Sequence, residues 1–600
     1  MMFAMPAFLP RPWALILLVC LSLGLAVPAY ALNPHLEDTA PITTVQSSRI
    51  VVNQAGYLPE AGKFALLLDG ADEPLELVHE PSATVMATLP LVREMNLANG
   101  LRVNWVDFSA ISLDGEYFLR QGKVQSNHFR IGRGVYDFTS WLLQRSYYLQ
   151  RCGVALEDAL TGIQHAACHT LDGVYAHTDE VNQQGDPHPA AGGWHDAGDF
   201  GKYMATASVT VSRLLSLYLM QPDRYPDKAL SIPESGNGIS DLLDEVKFEL
   251  DWMLKMQRMD GAVYRKLSGT EWVSARVPEQ DTDTRLIYGV SSPETAKFAA
   301  SMAVAARAYR TALPLEADVY RAAAERAWSW LEKNPAMTFE WYAGDDSGSG
   351  AYKGSFTDVE TTLEFDDDDR LAAAIELYLT TGEAKYRDFF QAEVERGIPY
   401  TLYEWKDATA LPLWHLLTYD QSVGLAAART RIRQSLLARA DSLLDNIAAC
   451  PFGLANQRFV WGSNKMTAEE GITLLHAWKY TGDPHYLQGA LWQVDYLFGR
   501  NPFGLSFVTG STPNAVKKPL HLFGTALGRT IPGLLVGGAN SLAQDKIAPA
   551  NQRMFSYVDD NRAYSVNEYA IDYNASLIAL LEVLGIYQAG QTRPESGKDL

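Results

Sequence analysis

The stretch Thr381-Gly382-Glu383-Ala384-Lys385-Tyr386 returns further along the chain as Thr481-Gly482-Asp483-Pro484-His485-Tyr486. In both copies a glycine closes one periodic apolar run and opens another, the mark of two helices joined through a left-handed C-cap. Outward from these turns, apolar residues at three- and four-residue spacing occupy 136–151, 205–219, 239–257, 292–310, 319–333, 370–380, 386–397, 468–480, 486–498 and 571–589. About a dozen helices paired as hairpins are therefore expected. Such hairpins build a closed toroid or an open solenoid, and periodicity alone does not choose between them.

Ahead of this helical text the period is that of strands. Ile50-Val51-Val52, Phe64-Ala65-Leu66-Leu67-Leu68, Leu75-Glu76-Leu77-Val78, Val103-Asn104-Trp105-Val106 and Tyr117-Phe118-Leu119-Arg120 alternate with turn-rich pieces such as Asp69-Gly70 and Asp114-Gly115. This predicts a small all-β sandwich over residues 49–133, with nothing catalytic in it, followed by a mainly α domain over 134–590 and a polar tail over 591–600. Long polar loops such as 343–369 are expected to line one face of the helical domain.

Composition narrows the partners. Six hundred residues with 47% hydrophobic content exceed one ordinary domain, and Lys+Arg 50 against Asp+Glu 71 leaves a net charge of -21. That balance argues against nucleic acid and against an anionic membrane surface. A neutral polysaccharide fits better, because 14 Trp and 29 Tyr, though mostly core, offer flat faces for sugar rings. Arg11, the apolar run from Trp13 to Val27 and the small-x-small site Ala29-Tyr30-Ala31 read as a signal peptide over 1–31, with a linker over 32–48. A secreted or periplasmic product without a membrane anchor is expected, and no obligate protein partner is evident. Cys20 leaves with the signal, so Cys152, Cys168 and Cys450 remain, the last expected as a buried thiol.

Chemistry concentrates in two places. Gly192-Gly193-Trp194-His195-Asp196-Ala197-Gly198-Asp199-Phe200-Gly201-Lys202-Tyr203 sets two carboxylates three residues apart among four glycines, with Trp194 offering an apolar face. Alone, it also suits a polar turn in which Asp199 caps a helix. Near the other end, 557–575 sets Glu568 among aromatics and amides just before an apolar helix, surroundings that raise a carboxyl's pKa and make a proton donor. Two carboxylates around a water on one side and an acid on the other are what inverting glycoside hydrolysis requires.

The chain resembles bacterial glycoside hydrolase family 9, the inverting cellulases, in the form with an N-terminal immunoglobulin-like module. The family's acid signature is met at Tyr557, Asp559, Tyr564, Glu568, Ala570, Asn574 and Ala575, and the glycine-rich stretch matches its other carboxylate motif. The resemblance implies an (α/α)6 barrel and a secreted endoglucanase on β-1,4-linked glucan. It implies Asp199 as general base, Asp196 as the partner that orients the water and Glu568 as general acid. Trp194, His521, Tyr564 and Asp559 are the residues expected to bind substrate. Inversion asks for base and acid carboxyls roughly 6.5 to 9.5 Å apart.

Cys152, Cys168, His169 and His195 make a closed Cys2His2 set for a structural zinc. On spacing, a Cys152–Cys168 disulfide beside two ordinary histidines stands equally; the resemblance to zinc-bearing relatives favours the metal. Asp366-Asp367-Asp368-Asp369 offers oxygens for calcium, which related enzymes bind near this point, or is a charged helix N-terminus stabilised by the dipole. One departure bears on substrate. Where the family carries Pro-His-His-Arg, this chain reads Pro519-Leu520-His521-Leu522, leaving His521 alone. An exo-acting glycosidase on short cello- or glucosamine-oligosaccharides is the alternative this raises, and a binding protein without activity is the reading from another class.

Overall fold

The computed structural model describes residues 49–270, 273–342, 345, 365–418 and 425–589. The expected signal peptide 1–31, linker 32–48 and tail 591–600 lie outside them, as does most of the 343–369 loop.

Nine strands come first: β1 (Ile50–Val51), β2 (Phe64–Leu68), β3 (Leu75–His79), β4 (Thr84–Leu89), β5 (Leu91–Asn96), β6 (Arg102–Asp107), β7 (Gly115–Gln121), β8 (Val124–Gln125) and β9 (Phe129–Ile131). They form two antiparallel sheets, β1-β2-β6-β5 and β4-β3-β7-β8 with β9 on β7. Strands β4 and β5, absent from the sequence expectation, carry mostly exposed residues and so lack an apolar run.

The inner strands of the first sheet, β2 and β6, are buried on both faces, which explains why Phe64-Ala65-Leu66-Leu67-Leu68 reads as an unbroken apolar run. Successive side chains point to opposite sides. Ala65, Leu67 and Val106 fill the sandwich, whereas Leu66, Leu68, Val103 and Trp105 join the core of the helical domain. Trp105 is 2% exposed. Its indole N–H donates to the Pro451 carbonyl at 3.0 Å, its ring meets Trp492 at 4.8 Å, and Arg500 lies over it at 4.9 Å.

Twelve helices of nine residues or more follow among the described residues: α1 (Asp137–Ser146), α2 (Met204–Met220), α3 (Asp241–Lys255), α4 (Ser292–Tyr309), α5 (Pro314–Lys333), α6 (Asp367–Thr381), α7 (Ala384–Arg396), α8 (Ala410–Thr418), α9 (Ala426–Ala449), α10 (Ser463–Thr481), α11 (Pro484–Leu497) and α12 (Ile571–Ala589). The even-numbered helices pack in the order α2-α4-α6-α8, and α10 packs on α12, which returns to α2. Trp414 of α8 stacks on His476 of α10 at 3.9 Å with planes 4° apart and closes the ring. Odd-numbered helices wrap the outside, α1 on α12, α3 on α2, α5 on α4, α7 on α6, α9 and α11 on α10. The toroid, not the solenoid, is the answer: an (α/α)6 barrel.

Inner helices are buried around almost their whole circumference. Helix α4 exposes only Arg307 in part, and alanines such as Ala296, Ala299 and Ala303 let it lie against α2, α5 and α6. Buried ion pairs tie the inner ring together. Arg213 of α2 meets Glu469 of α10, Lys297 of α4 meets Asp369 of α6 at 2.5 Å, and Lys465 of α10 meets Asp572 of α12 at 3.1 Å.

Helices α8 and α9 are additions to the sequence expectation. Helix α8 is short and apolar nearly throughout, with Pro412 in its first turn, so it carries little amphipathic contrast. Helix α9 buries one thin stripe, Ala428, Ile432, Leu436, Ala440, Leu443 and Ile447, of which two are only alanine.

Because Trp105 is shared between sandwich and barrel, Trp105→Ala is expected to cost about 3–5 kcal/mol. Denaturant unfolding followed by helical circular dichroism should show the loss; an unchanged helical midpoint would mean that the sandwich is not part of the barrel's core.

Candidate active site

Residues 192–203 lead into inner helix α2, and 557–570 lead into inner helix α12. Since α2 and α12 are neighbours pointing the same way round the ring, both motifs emerge at one end of the barrel. Backbone bonds then join them. The Ile571 amide donates to the Asp196 carbonyl at 2.8 Å, and Ala197 bridges Ala570. Leu520 and Leu522 form a third thread, with Leu520 N–H on the Asn567 carbonyl at 2.9 Å and Leu522 N–H on the Gly198 carbonyl at 2.7 Å.

The glycine-rich loop is anchored from behind. The Trp194 amide donates to Glu249 at 2.5 Å and its indole N–H to Glu245 at 2.8 Å, while its ring packs on Tyr147 at 4.6 Å. Lys202 donates to the carbonyls of Ala190 and Gly192 and pairs with Asp172 at 2.9 Å. A Cβ on Gly193, at φ +74°, would lie 2.8 Å from Trp252. Trp194 is therefore corrected from a substrate platform to a core residue: it is 1% exposed and has no free face.

Asp196 is buried, and the Thr206 hydroxyl donates to its carboxylate. Burial, then the charges of Asp572, Asp199 and Glu249, push its carboxyl well above the ordinary range. Asp199 is half-buried, and burial pushes it up to about 6 against the pull of the Gly201 amide, Arg285 and Lys266. It does not cap α2, whose N-cap is Tyr203 without a side-chain bond. Both groups have folded pKa values above their unfolded ones, so their ionisation costs stability; for Asp199 that cost shrinks as pH falls from about 6 toward the ordinary carboxylate range.

Glu568 is 7% exposed and follows the short helical turn Tyr564–Asn567 in an extended conformation. Its carbonyl accepts from Gly537 N–H at 2.8 Å, which holds the segment from the other side. Its carboxylate lies against Gly198, the residue before Asp199: a Cβ there would sit 3.2 Å from Glu568 Oε1 and 2.5 Å from the Leu520 carbonyl oxygen. Glu568 is thus brought against the loop that carries Asp196 and Asp199. Thr206, Asp572 and the Leu520 carbonyl belong to the same locus and were not legible, because nothing local marks a threonine or a helix-borne aspartate as facing a distant loop.

The remaining candidates divide. Tyr564 is 37% exposed, donates to the Gln544 carbonyl at 3.0 Å and faces Trp461 at 5.6 Å. Burial, then the charges of Asp545 and Glu568, push its hydroxyl up. Asp559 accepts from the Lys517 and Lys518 amides, both at 2.9 Å, so it shapes backbone. His521 is 4% exposed; it accepts from Gly524 N–H at 3.1 Å and meets Gln150 at 3.2 Å, with its ring kept neutral by burial and by His195, its pKa lowered to about 3. It caps the turn Leu522–Leu527 and is corrected from a substrate-binding residue to a structural one.

Cys152, Cys168, His169 and His195 converge, with ligand atoms all within 4.8 Å of one another. His195 Nε2 lies 3.3 Å from His169 Nδ1, Cys152 Sγ 3.5 Å from His169 Nδ1, and Cys168 Sγ 4.0 Å from His195 Nε2. His169 Nε2 meets Asp281 at 3.2 Å, and both thiols are free, so the disulfide alternative does not hold. The four-aspartate run does not converge on a cation: Asp366 pairs with Arg370 at 2.9 Å, Asp369 with Lys297, and Asp368 accepts from the Ala408 amide at 2.9 Å. Partners within the protein serve these three, and the calcium expectation gains no support.

The model for glycosyl hydrolase family 9 matches residues 139–581. The chain belongs to glycosyl hydrolase family 9. The model for the cellulase N-terminal ig-like domain matches residues 45–126. Endoglucanase D of Acetivibrio thermocellus is 31% identical over 96% of this chain and 86% of its own length. Among solved structures, a metagenome-derived family 9 endoglucanase superposes with a TM-score of 0.83 at 37% identity, covering 89% of this chain and 98% of that one. A zinc-binding triple mutant of another family 9 endoglucanase superposes with a TM-score of 0.82 at 34% identity, covering 88% and 99%. As a family 9 protein the chain is a glycoside hydrolase.

Because a Gly198 side chain would collide with the Leu520 carbonyl oxygen at 2.5 Å and press on the Glu568 carboxylate at 3.2 Å, Gly198→Ala should lower kcat by about 100-fold or more while circular dichroism stays native. Retention of wild-type turnover would separate Gly198 from the site.

Proposed function

We propose that this family 9 hydrolase cleaves β-1,4-glucan chains internally and with inversion. The observation that carries the reading is the Glu568 carboxylate lying against the Asp196–Asp199 turn. In this reading Asp199 takes a proton from water as that water attacks the anomeric carbon, and the Asp196 carboxylate, steadied by Thr206, orients the water. Glu568 gives its proton to the leaving glycosidic oxygen. Each turnover therefore returns one proton to the acid and removes one from the base through solvent. Tyr564 and Trp461 offer the leaving-group side an aromatic surface for sugar C–H faces.

The Cys152-Cys168-His169-His195 set fits zinc. Zn–N near 2.05 Å and Zn–S near 2.3 Å give tetrahedral edges of about 3.3 Å for N···N and about 3.5 Å for S···N, against 3.3, 3.5 and 4.0 Å here. His195 is pushed down to about 4 by burial, so its imidazole is neutral, and the Asp281 contact orients His169 as an outer-sphere partner. With all four positions taken by protein ligands, an ion held here would have a structural role, fixing the residue before Asp196. Export after removal of a signal peptide near Ala31 completes the reading; among the described residues no helix is long and apolar enough to cross a membrane.

The deciding experiment follows products from cellohexaose and chitosan hexamer by NMR. Internal cleavage of cellohexaose to α-anomers, lowered about 10²- to 10⁴-fold in Glu568→Gln, is the expected result. Release of terminal sugars alone, or action on chitosan only, moves the substrate to the exo-acting alternative that Leu520 and Leu522 raised. With Asp199 pushed up to about 6, kcat/KM should fall as pH drops below about 6, because the protonated carboxylate no longer accepts from water. A flat profile there removes Asp199 as base.

Metal analysis is expected to find zinc bound stoichiometrically. Cys168→Ser should lower both zinc content and the thermal midpoint by several degrees; full zinc retention in that variant would exclude Cys168 as a ligand.

A further inference from the structure

The end of the barrel away from the catalytic loops holds a second cavity, of about 260 Å³, that the reaction does not use. Helix α2 runs from the catalytic loop toward it over 17 residues, about 25 Å of rise, and residues 224–230 beyond α2 form one side. Its floor is Glu582 of α12, buried and fully occupied by the Ser140 hydroxyl, the Arg224 guanidinium and the Tyr225 hydroxyl. Its wall is the Trp141 ring, fixed by an indole N–H bond to the Ala229 carbonyl at 3.0 Å. Phe138, one turn earlier on α1, is 56% exposed and stacks beside Trp141 at 6.0 Å and 28°, extending the aromatic surface outward from the mouth.

These features select a ligand class. The mouth carries both signs of charge, Asp137 and Arg224 standing 4.0 Å apart, so neither an anion nor a cation is favoured. An apolar ligand would take the Asp137 carboxylate and the Arg224 guanidinium at the mouth out of water without replacing that hydration. A pyranose ring is the complement: C–H bonds on one face for the indole, hydroxyls around the edge for carboxylate, amide and guanidinium. We propose that this cavity and the Phe138–Trp141 surface form a second glucan-binding site, which holds a polysaccharide chain on the enzyme without cutting it. The proposal rests on β-1,4-glucan being the substrate of the catalytic site.

The test pairs gel retardation in soluble β-1,4-glucan with turnover of cellotetraose, too short to span both ends of the barrel. Wild type, Phe138→Ala and Phe138→Tyr are compared after circular dichroism confirms the fold. The expected result is that Phe138→Ala needs roughly fivefold more glucan for the same retardation, Phe138→Tyr behaves as wild type, and all three turn over cellotetraose equally. Equal retardation of wild type and Phe138→Ala, no retardation of wild type, or a parallel loss of cellotetraose turnover in Phe138→Ala overturns the second site and leaves the catalytic reading standing. Absence of cellotetraose turnover in the wild type overturns the catalytic reading and this proposal with it.

Discussion

The Ile571 amide donating to the Asp196 carbonyl, 2.8 Å away, joins the last inner helix of the ring to the loop that opens the first. Much else hangs on that seam. It sets Ala197 against Ala570, admits the Leu520–Leu522 thread alongside, and puts Gly198 against the Glu568 carboxylate. A barrel closed elsewhere would keep every motif and lose the site. Backbone bonds suit this task because they do not titrate and their geometry is rigid, so the carboxylates stay registered whatever their charge.

Crowding acidic groups at this seam works against folding. Asp196, Glu568 and Asp572 are buried and Asp199 half-buried, and for Asp196 and Asp199 folding favours the protonated form relative to the unfolded chain. Lys465 compensates by bridging Asp572 and Glu404, and Arg285 and Lys266 draw Asp199 back toward ionisation. In the proposed mechanism this residual tension serves the reaction, since a base poised near neutrality both holds its charge and accepts a proton readily. The Cys2His2 cluster sits directly behind, where coordination of His195 would stiffen the backbone at Asp196.

The sandwich is a structural partner of the barrel. Its first sheet presents Leu66, Leu68, Val103 and Trp105 outward into the barrel's core, and the Asn53 side chain reaches Asp495 at 2.9 Å. A strand buried on both sides needs no polar face, so an unbroken apolar run in an antiparallel sheet marks a docking surface. Covering one face with helices also removes a sheet surface that would otherwise be left open to aggregation.

Much was written locally. The period of the apolar residues showed helices and strands, the Thr-Gly turns showed hairpins, and the glycine-rich and Glu568 motifs, together with the family they match, offered candidates for the catalytic carboxylates and for a metal set. The sequence by itself determined which residue types were available for acid–base and metal chemistry, because those depend on side-chain identity and short spacing. It could not decide between toroid and solenoid, since both satisfy the same periodicity and only contacts between the first and last helices distinguish them. For the same reason it placed Trp194 and His521 at the substrate when packing buries both, and it could not show Thr206, Trp461 or Asp572 joining the site. Exposure and long-range neighbours are set by how helices pack around a closed ring, and only the tertiary structure holds that information.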